Sequence, residues 1–336
     1  MKAWQFSEVS ITLEESLVLA RDAEMPNSAT LGPTQMIVQV LWAALNPVDY
    51  KLPESGLIGR LMIPRPAVPG LDFCGRVYAK HADIDTFEQG QIIFGGLARP
   101  SRFGTLGEYA LVSTTECAPL PRGVKPEHAA AIGTAATTAY QSIPASIVKP
   151  GARVFINGGS GGVGTWAVQF AKARGAYVVT TCSTKNVDRC SLLGADEVLD
   201  YTNIDLVDHL KSLSNPFDIL VDNVGNDTNL YRERDALLNP NGMFVQVGVG
   251  KSVSLNTVVS TGSKQLRQYM PGQKSYYFVN QENKAEYFKQ IGLWMAEGKV
   301  RAFIDTRFSY DQVPDAFREL RRGHTADKLV IRVTED

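Results

Sequence analysis

The sequence predicts a two-part α/β chain: a discontinuous β domain, residues 1–122 and 301–336, holding an inserted α/β domain with a doubly wound parallel sheet over 123–300. Three observations predict it. Short apolar segments broken by Gly and Pro fill the first third, strands and helices alternate after about Pro126, and the pattern turns strand-like again from about Arg301. A length of 336 residues also suits two domains of about 150 each.

Taken in order, residues 35–40 alternate with period two, and 90–95 read as a buried strand between turns. Pro47, Pro53, Pro64, Pro66 and Pro69 argue against long helices in the intervening segment. Residues 127–143 are Ala-rich and read as a helix entered through Pro126. Strands then follow at 153–157, 177–182, 217–222, 243–247 and 276–279, with helices over 165–174 and 186–193, the latter ended by Gly194. Continuous apolar strands alternating with helices require a sheet covered on both faces, hence a parallel one. A last strand at 328–333 packs back on the first domain.

Lys plus Arg (34) nearly cancels Asp plus Glu (35), leaving a net charge of -1. That balance provides no global field for nucleic acid or an anionic membrane, so neither is expected as a partner. Cys74, Cys117, Cys182 and Cys190 are scattered with no CxxC, which suits free thiols in a reducing compartment. No run of about 18 apolar residues and no signal-peptide pattern stand in the sequence, so a cytoplasmic protein is expected.

Gly159-Ser160-Gly161-Gly162-Val163-Gly164 satisfies G-x-G-x-x-G, and it follows a predicted strand and opens a predicted helix. In that context Gly159 permits a tight turn, Gly161 removes the Cβ that would obstruct a diphosphate, and Gly164 lets helix and strand pack closely. The helix N-terminus adds free N–H groups and partial positive charge. The alternative is a Gly-rich turn without a ligand. The next strand ends in Ser183-Thr184-Lys185 with no acid at its tip, where an NAD-selective fold places one. Ser183 and Lys185 suit a 2′-phosphate, so NADP(H) is the expected cofactor. Lys185 as a solvated residue at a helix start is the other reading.

Further motifs extend over essentially the whole chain: Asn46-Pro47-Val48-Asp49-Tyr50-Lys51, Pro69-Gly70-Leu71-Asp72-Phe73-Cys74-Gly75, Gly104-Thr105-Leu106-Gly107-Glu108-Tyr109, Thr138-Ala139-Tyr140-Gln141, Leu193-Gly194-Ala195-Asp196-Glu197-Val198-Leu199-Asp200-Tyr201, and Val221-Asp222-Asn223-Val224-Gly225. With the glycine loop, these resemble the medium-chain dehydrogenase/reductase superfamily. The resemblance implies a GroES-like domain beside a Rossmann domain. The zinc-dependent alcohol dehydrogenases of that group carry a Cys near the position of Asn46 and Gly-His-Glu where this chain has Gly70-Leu71-Asp72. None of the four His stands in these motifs, so no metal site is expected. The chain is therefore similar to the zinc-free quinone oxidoreductases, enoyl reductases and fungal trans-acting enoyl reductases, and 46–51 is close to the last group. That likeness implies cofactor contacts from Asn46, Val48, Asp49, Lys51, the loop Gly159, Ser160, Gly161, Gly162, Val163 and Gly164, then Ser183, Thr184, Lys185, Asn186, Tyr201, Asn223, Val247 and Gly248. Relatives often begin the last strand with Gly-Lys where this chain has Asp327-Lys328, a departure that leaves a contact there open.

Reduction of an activated C=C needs a donor for the charge that develops on the carbonyl oxygen and a proton for the α-carbon. Lys51 and Tyr50 are the catalytic candidates. Against that, Tyr50 could pack structurally and Lys51 could hold a phosphate or pair with Asp49. Thr138 is a cofactor ligand or a packed core residue. Arg318, Arg321 and Arg322 read as a solvated helix face. The expected function is NADPH-dependent, zinc-free reduction of a small apolar enone, enoyl compound or quinone. Alternatives are a secondary-metabolite oxidase, a non-redox enzyme using the same site, or a non-catalytic NADPH-binding protein. Substrate choice would rest on 52–69 and 255–275, where the apolar run Leu57, Ile58, Leu61, Met62 and Ile63 suits a substrate mouth or a dimer contact. A homodimer is open, since the predicted edge strand at 276–279 could pair across a two-fold or stay capped.

Overall fold

Eight strands precede the glycine loop: β1 (Ala3–Gln5), β2 (Val18–Ala20), β3 (Gln35–Ala44), β4 (Asp72–Lys80), β5 (Ile92–Gly96), β6 (Tyr109–Ser113), β7 (Cys117–Pro119) and β8 (Arg153–Asn157). Among the described residues β9 (Tyr177–Cys182), β10 (Glu197–Asp200), β11 (Phe217–Asp222), β12 (Leu238–Gln246) and β13 (Ser275–Phe278) follow it, and then β14 (Ile304–Ser309) and β15 (Lys328–Arg332). This computed structural model describes residues 1–225, 228–248, 274–323 and 327–335. It divides into one unit of Met1–Thr137 with Glu282–Asp336 and a second of Thr138–Gln281.

In the first unit β14, β15, β3, β4, β5 and β7 form one sheet in that order, with β6 also on β3. β14 and β15 run parallel and the remaining pairs antiparallel. β3 extends beyond the predicted 35–40 because Leu41, Ala43 and Ala44 are also buried, and it is nearly continuously apolar. Phe6, Met36, Val38, Phe73 and Phe317 belong to the core of this unit. Each such fully buried side chain contributes about 1.5–3 kcal/mol by leaving water. The helix predicted over 127–143 is two helices, Pro126–Ala130 and Gly133–Ser142. At the break Gly133 lies against Asp72, and a Cβ there would stand 1.9 Å from the Asp72 carboxyl carbon.

The second unit carries a sheet in the order β10-β9-β8-β11-β12-β13, with every pair parallel. Counted from the first strand of the unit this is 3-2-1-4-5-6, the doubly wound order. β8, β9 and β11 have the bounds expected from sequence, because each is a short, mostly buried run rich in β-branched and aromatic residues and closed by turn residues. Phe155, Val179, Leu220, Phe244 and Tyr276 form its core. The Gly162–Ala173 helix begins earlier than expected, with Gly164 through Ala171 buried, and ends before Gly175. Gly175, at φ 79, adopts the left-handed conformation that closes such a helix. Among the described residues no helix is long and apolar enough to cross a membrane. The expected substrate segment 255–275 falls almost entirely outside the described residues.

Candidate active site

The order of the second sheet reverses between β8 and β11, so the chain leaves their carboxyl ends in opposite directions and opens a crevice there. β8 ends in Asn157 and β11 in Asp222, and both side chains are buried. Thr181 Oγ1 donates to Asn157 Oδ1 at 2.7 Å, and Asn157 Nδ2 donates to Asp222 Oδ1 at 3.0 Å. The same Asp222 oxygen accepts the backbone N–H groups of Val224 and Gly225 at 3.0 and 3.1 Å. This chain of bonds ties β9, β8 and β11 at the tips that carry the loops. The Asp222 carbonyl accepts the N–H groups of Val247 and Gly248, which sets those two expected residues beside Asn223. Asn223 Oδ1 is buried and has no hydrogen-bond partner among the described residues.

The glycines of the loop fall into two kinds. At Gly164 a Cβ would meet the Gly158 carbonyl oxygen at 2.0 Å, and at Gly159 it would meet Thr180 Oγ1 at 2.0 Å. These two are required by packing within the protein. Gly161 would meet only the Gly158 carbonyl oxygen, at 3.7 Å, and Gly162 nothing within 4 Å. Both are exposed and stand at the start of the Gly162–Ala173 helix, which no side chain caps. An open, uncapped helix N-terminus is a cradle for a diphosphate. The residue that takes the left-handed turn is Gly158, at φ 79, not Gly159 as expected. The G-x-G-x-x-G pattern starts one position too late to reveal it.

Asn157, Gly158, Thr181, Tyr201 and Val224 line a cavity of about 830 Å³, with Asp205, Lys211 and Glu233 on its wall. Tyr201 thereby shares a cavity with Gly158, the residue before the glycine loop. Ser183 Oγ accepts from Asn186 Nδ2 at 3.2 Å, while Thr184 and Lys185 are exposed. One carboxylate has no role assigned to it by the sequence motifs. Asp200, at the end of β10, pairs in register with Cys182 at the end of β9. It accepts from the Thr202 hydroxyl at 2.6 Å and from Asn203 Nδ2 at 2.7 Å. Hydrogen bonds, first from Thr184 and then Thr202, hold its carboxyl below the usual carboxylate range. Thr138 is buried in the Gly133–Ser142 helix.

In the first unit the Asn46–Lys51 segment folds as one helical turn, Pro47–Lys51, with Pro at its start, where a missing N–H costs nothing. Asp49 Oδ2 accepts the Asn46 N–H at 2.7 Å, so its side chain is spent inward on the turn itself. Asp49 is 2% exposed and its Oδ1 has no partner among the described residues. Burial, and then the neighbouring Asp72 charge, push its carboxyl up to about 8. Asn46 Nδ2 donates to Asp72 Oδ2 at 2.8 Å, and Lys328 Nζ reaches the same oxygen at 3.0 Å. No sequence signal joined Lys328 to this turn. Tyr50 is half-buried, its ring 4.3 Å from the Arg321 guanidinium. Arg321 is not a solvated residue as expected. It bonds Glu14 at 2.8 and 2.9 Å and also bonds Glu54, whereas Arg318 and Arg322 pair at the surface with Asp315 and Glu319. Burial raises the Tyr50 phenol above its ordinary range. Lys51 is exposed. Leu57, Ile58, Leu61 and Met62 are exposed on the Leu57–Met62 helix, and Ile63 is buried.

Residues 32–122 match the alcohol dehydrogenase GroES-like domain, and residues 193–331 the zinc-binding dehydrogenase domain. The chain is 40% identical over 349 aligned residues to the trans-enoyl reductase pgmF of Aspergillus terreus, covering 100% of this chain and 97% of that protein. It is 32% identical to a zinc-type alcohol dehydrogenase-like protein of Schizosaccharomyces pombe, covering 98% and 96%. Among solved structures, the quinone oxidoreductase from Coxiella burnetii superposes with a TM-score of 0.81 at 28% identity, covering 99% of each chain.

Proposed function

The chain belongs to the medium-chain dehydrogenase/reductase family, oxidoreductases that take a nicotinamide cofactor, and on that premise we propose a zinc-independent, NADP(H)-dependent reductase of an activated C=C bond or a quinone. The observation that carries the proposal is the loop at the sheet's switch point, where Gly161 and Gly162 leave side-chain-free space before an uncapped helix. When bound, the reduced nicotinamide supplies the hydride. The chain's own groups do the rest. The first N–H groups of the Gly162–Ala173 helix hold the diphosphate, and Asn223 Oδ1 offers a buried acceptor beside Gly248.

Preference for the phosphorylated coenzyme is supported by Ser183 and the exposed Lys185 after β9. Asp200 is the one carboxylate at the neighbouring strand tip, and Thr202 and Asn203 already occupy it. Zinc independence is supported by the donor set at the positions where zinc-dependent relatives place ligands. Asn46 is an amide, Leu71 is apolar, and the Asp72 carboxylate is neutralised by Lys328 at 3.0 Å. Such a set does not fit a zinc ion, which needs three or four converging N, S or O donors.

Of the two candidate donors for the carbonyl oxygen, Lys51 is favoured. Its ammonium is on a flexible, exposed stem, whereas the Tyr50 ring is held against Arg321. Substrate binding excludes water at the carbonyl, so that a single positive charge there stabilises the developing oxyanion. The proposed substrate is a small apolar unsaturated carbonyl compound, in keeping with the names of the relatives.

The test is loss of reduced-nicotinamide absorbance with NADPH and, separately, NADH over a panel of enones, enoyl thioesters and quinones. Turnover with NADPH preferred is expected. Tight NADPH binding with no turnover on the panel would favour the non-catalytic binding protein, and binding of neither coenzyme would refute the proposal.

A further inference from the structure

β3 and β15 pair through Ala44 and Val330, and β3 and β4 through Ala44 and Asp72. Three strand ends therefore converge where the chain leaves β3 for the Pro47–Lys51 turn. At that point lies Lys328, its side chain only 7% exposed. A Lys ammonium has three protons to donate. All three are spoken for: the Leu45 carbonyl at 3.1 Å, Asn46 Oδ1 at 2.6 Å and Asp72 Oδ2 at 3.0 Å. Asp72 in turn accepts four donors. Thr134 gives its N–H and its hydroxyl to Oδ1, each at 2.8 Å, while Asn46 Nδ2 and Lys328 Nζ go to Oδ2. A carboxyl group surrounded only by donors is the ionised one, and Lys328 is its counter-ion.

The partners of Lys328 are not spread at random. Two of the three belong to Leu45 and Asn46, the residues that lead into the turn, and the third is anchored on β4. We propose that Lys328 is a positioning residue: its buried ammonium, seated on Asp72, clamps Leu45 and Asn46 and so fixes the turn that carries Val48 and Lys51. The proposal rests on the reading that this turn serves cofactor binding. Asp49 completes the arrangement from the other side, holding the Asn46 N–H at 2.7 Å. Asn46 is thus gripped at its backbone by Asp49 and at its amide by both Asp72 and Lys328. Charge neutrality fits as well. Around Asp49 stand Asp72 of β4, Lys328 of β15 and the amide of Asn46, while Arg321, Glu14 and Glu54 gather about Tyr50 on the same turn. With Asp49 protonated the buried cluster of Asp49, Asp72 and Lys328 is neutral.

Two variants of the full chain test this. Lys328→Met with Asp72→Asn removes the ion pair as a unit, so no lone buried charge remains. Asn46→Ala leaves the ion pair in place and cuts its link to the turn. The readouts are thermal midpoint, hydrogen exchange of the peptide covering 46–51, and the dissociation constant for NADPH by fluorescence titration. Both variants are expected to melt cooperatively, to exchange faster at 46–51, and to bind NADPH roughly tenfold or more weakly, the loss that goes with one charged hydrogen bond. Lys328→Met alone is expected to be much less stable than the double variant. Unchanged exchange at 46–51 in both variants overturns the positioning role. If the wild-type protein binds no NADPH, the proposed function falls instead, and the exchange result still decides whether Lys328 holds the turn. If the double variant does not fold, Asn46→Ala decides alone.

Discussion

Replacing Gly161 by Ala separates what the glycine loop needs for folding from what it needs for a ligand. Gly161 has φ -79 and ψ 170, a conformation open to any residue, and an added Cβ meets only one atom, at 3.7 Å. Without cofactor the loss is therefore the weaker N-cap preference of Ala, at most about 1 kcal/mol. With cofactor the methyl group enters the space assigned to the diphosphate. Overpacking of that kind costs about 1–3 kcal/mol, or roughly fivefold to 150-fold in the dissociation constant. Fluorescence titration with NADPH measures the second quantity and a thermal melt of the free protein the first. The expected pair is a nearly unchanged melt and a much weaker complex. An Ala variant that binds NADPH as tightly as the wild type would refute the cradle, and so would one whose loss is all in the free-protein melt.

Gly164→Ala is expected to behave oppositely: its Cβ would stand 2.0 Å from a backbone oxygen that cannot turn aside, so the free protein itself should lose about 1–3 kcal/mol in denaturant titration. Lys185→Glu is expected to lower the ratio of kcat/KM for NADPH over NADH by roughly tenfold or more, and an unchanged ratio would remove Lys185 from coenzyme selection. Dialysis against a chelator is expected to leave the turnover rate unchanged, since the donor set around Asp72 is closed by Lys328. A pH series tests Asp49. Its carboxyl is raised from 3.8 to about 8 in the folded protein, so the folded state binds the extra proton between those values. The stabilisation is full below the lower value and is lost as pH rises towards and through the upper one. Asp49→Asn, which carries no such proton, should flatten the decline in stability over that window, and a parallel pair of curves would show that Asp49 does not titrate there.

What was legible in the sequence was local. The strand, turn and helix around Gly159–Gly164 are contiguous, and each residue type has its own steric reason to be there, so the loop and β8, β9 and β11 could be read directly. Legibility failed where chemistry depends on residues far apart in the chain. Lys328 meets Asn46 across 282 residues and Asp72 across 256, and no spacing rule joins them. Arg321 was read as solvated because its partners Glu14 and Glu54 lie 307 and 267 residues away. Asp200 stands in a motif, but its place has no local signal for a related reason. The position that distinguishes the coenzymes is the tip of β9, whereas this carboxylate stands at the tip of the strand hydrogen-bonded beside it. The helix expected over 127–143 is two helices, and at the start of the second Thr134 gives its N–H and hydroxyl to Asp72, a partner written in another part of the chain.

β15, which delivers Lys328, follows the whole of residues 138–281 in the chain. A ribosome therefore releases the inserted unit before it has made the last strand of the surrounding one. Until β15 docks, Asp72 lacks its counter-ion and Asn46 lacks its clamp, so a nascent chain halted before Lys328 carries a finished glycine loop and an unfinished Asn46–Lys51 turn. Order of synthesis thus makes the earliest-translated part the last to be completed.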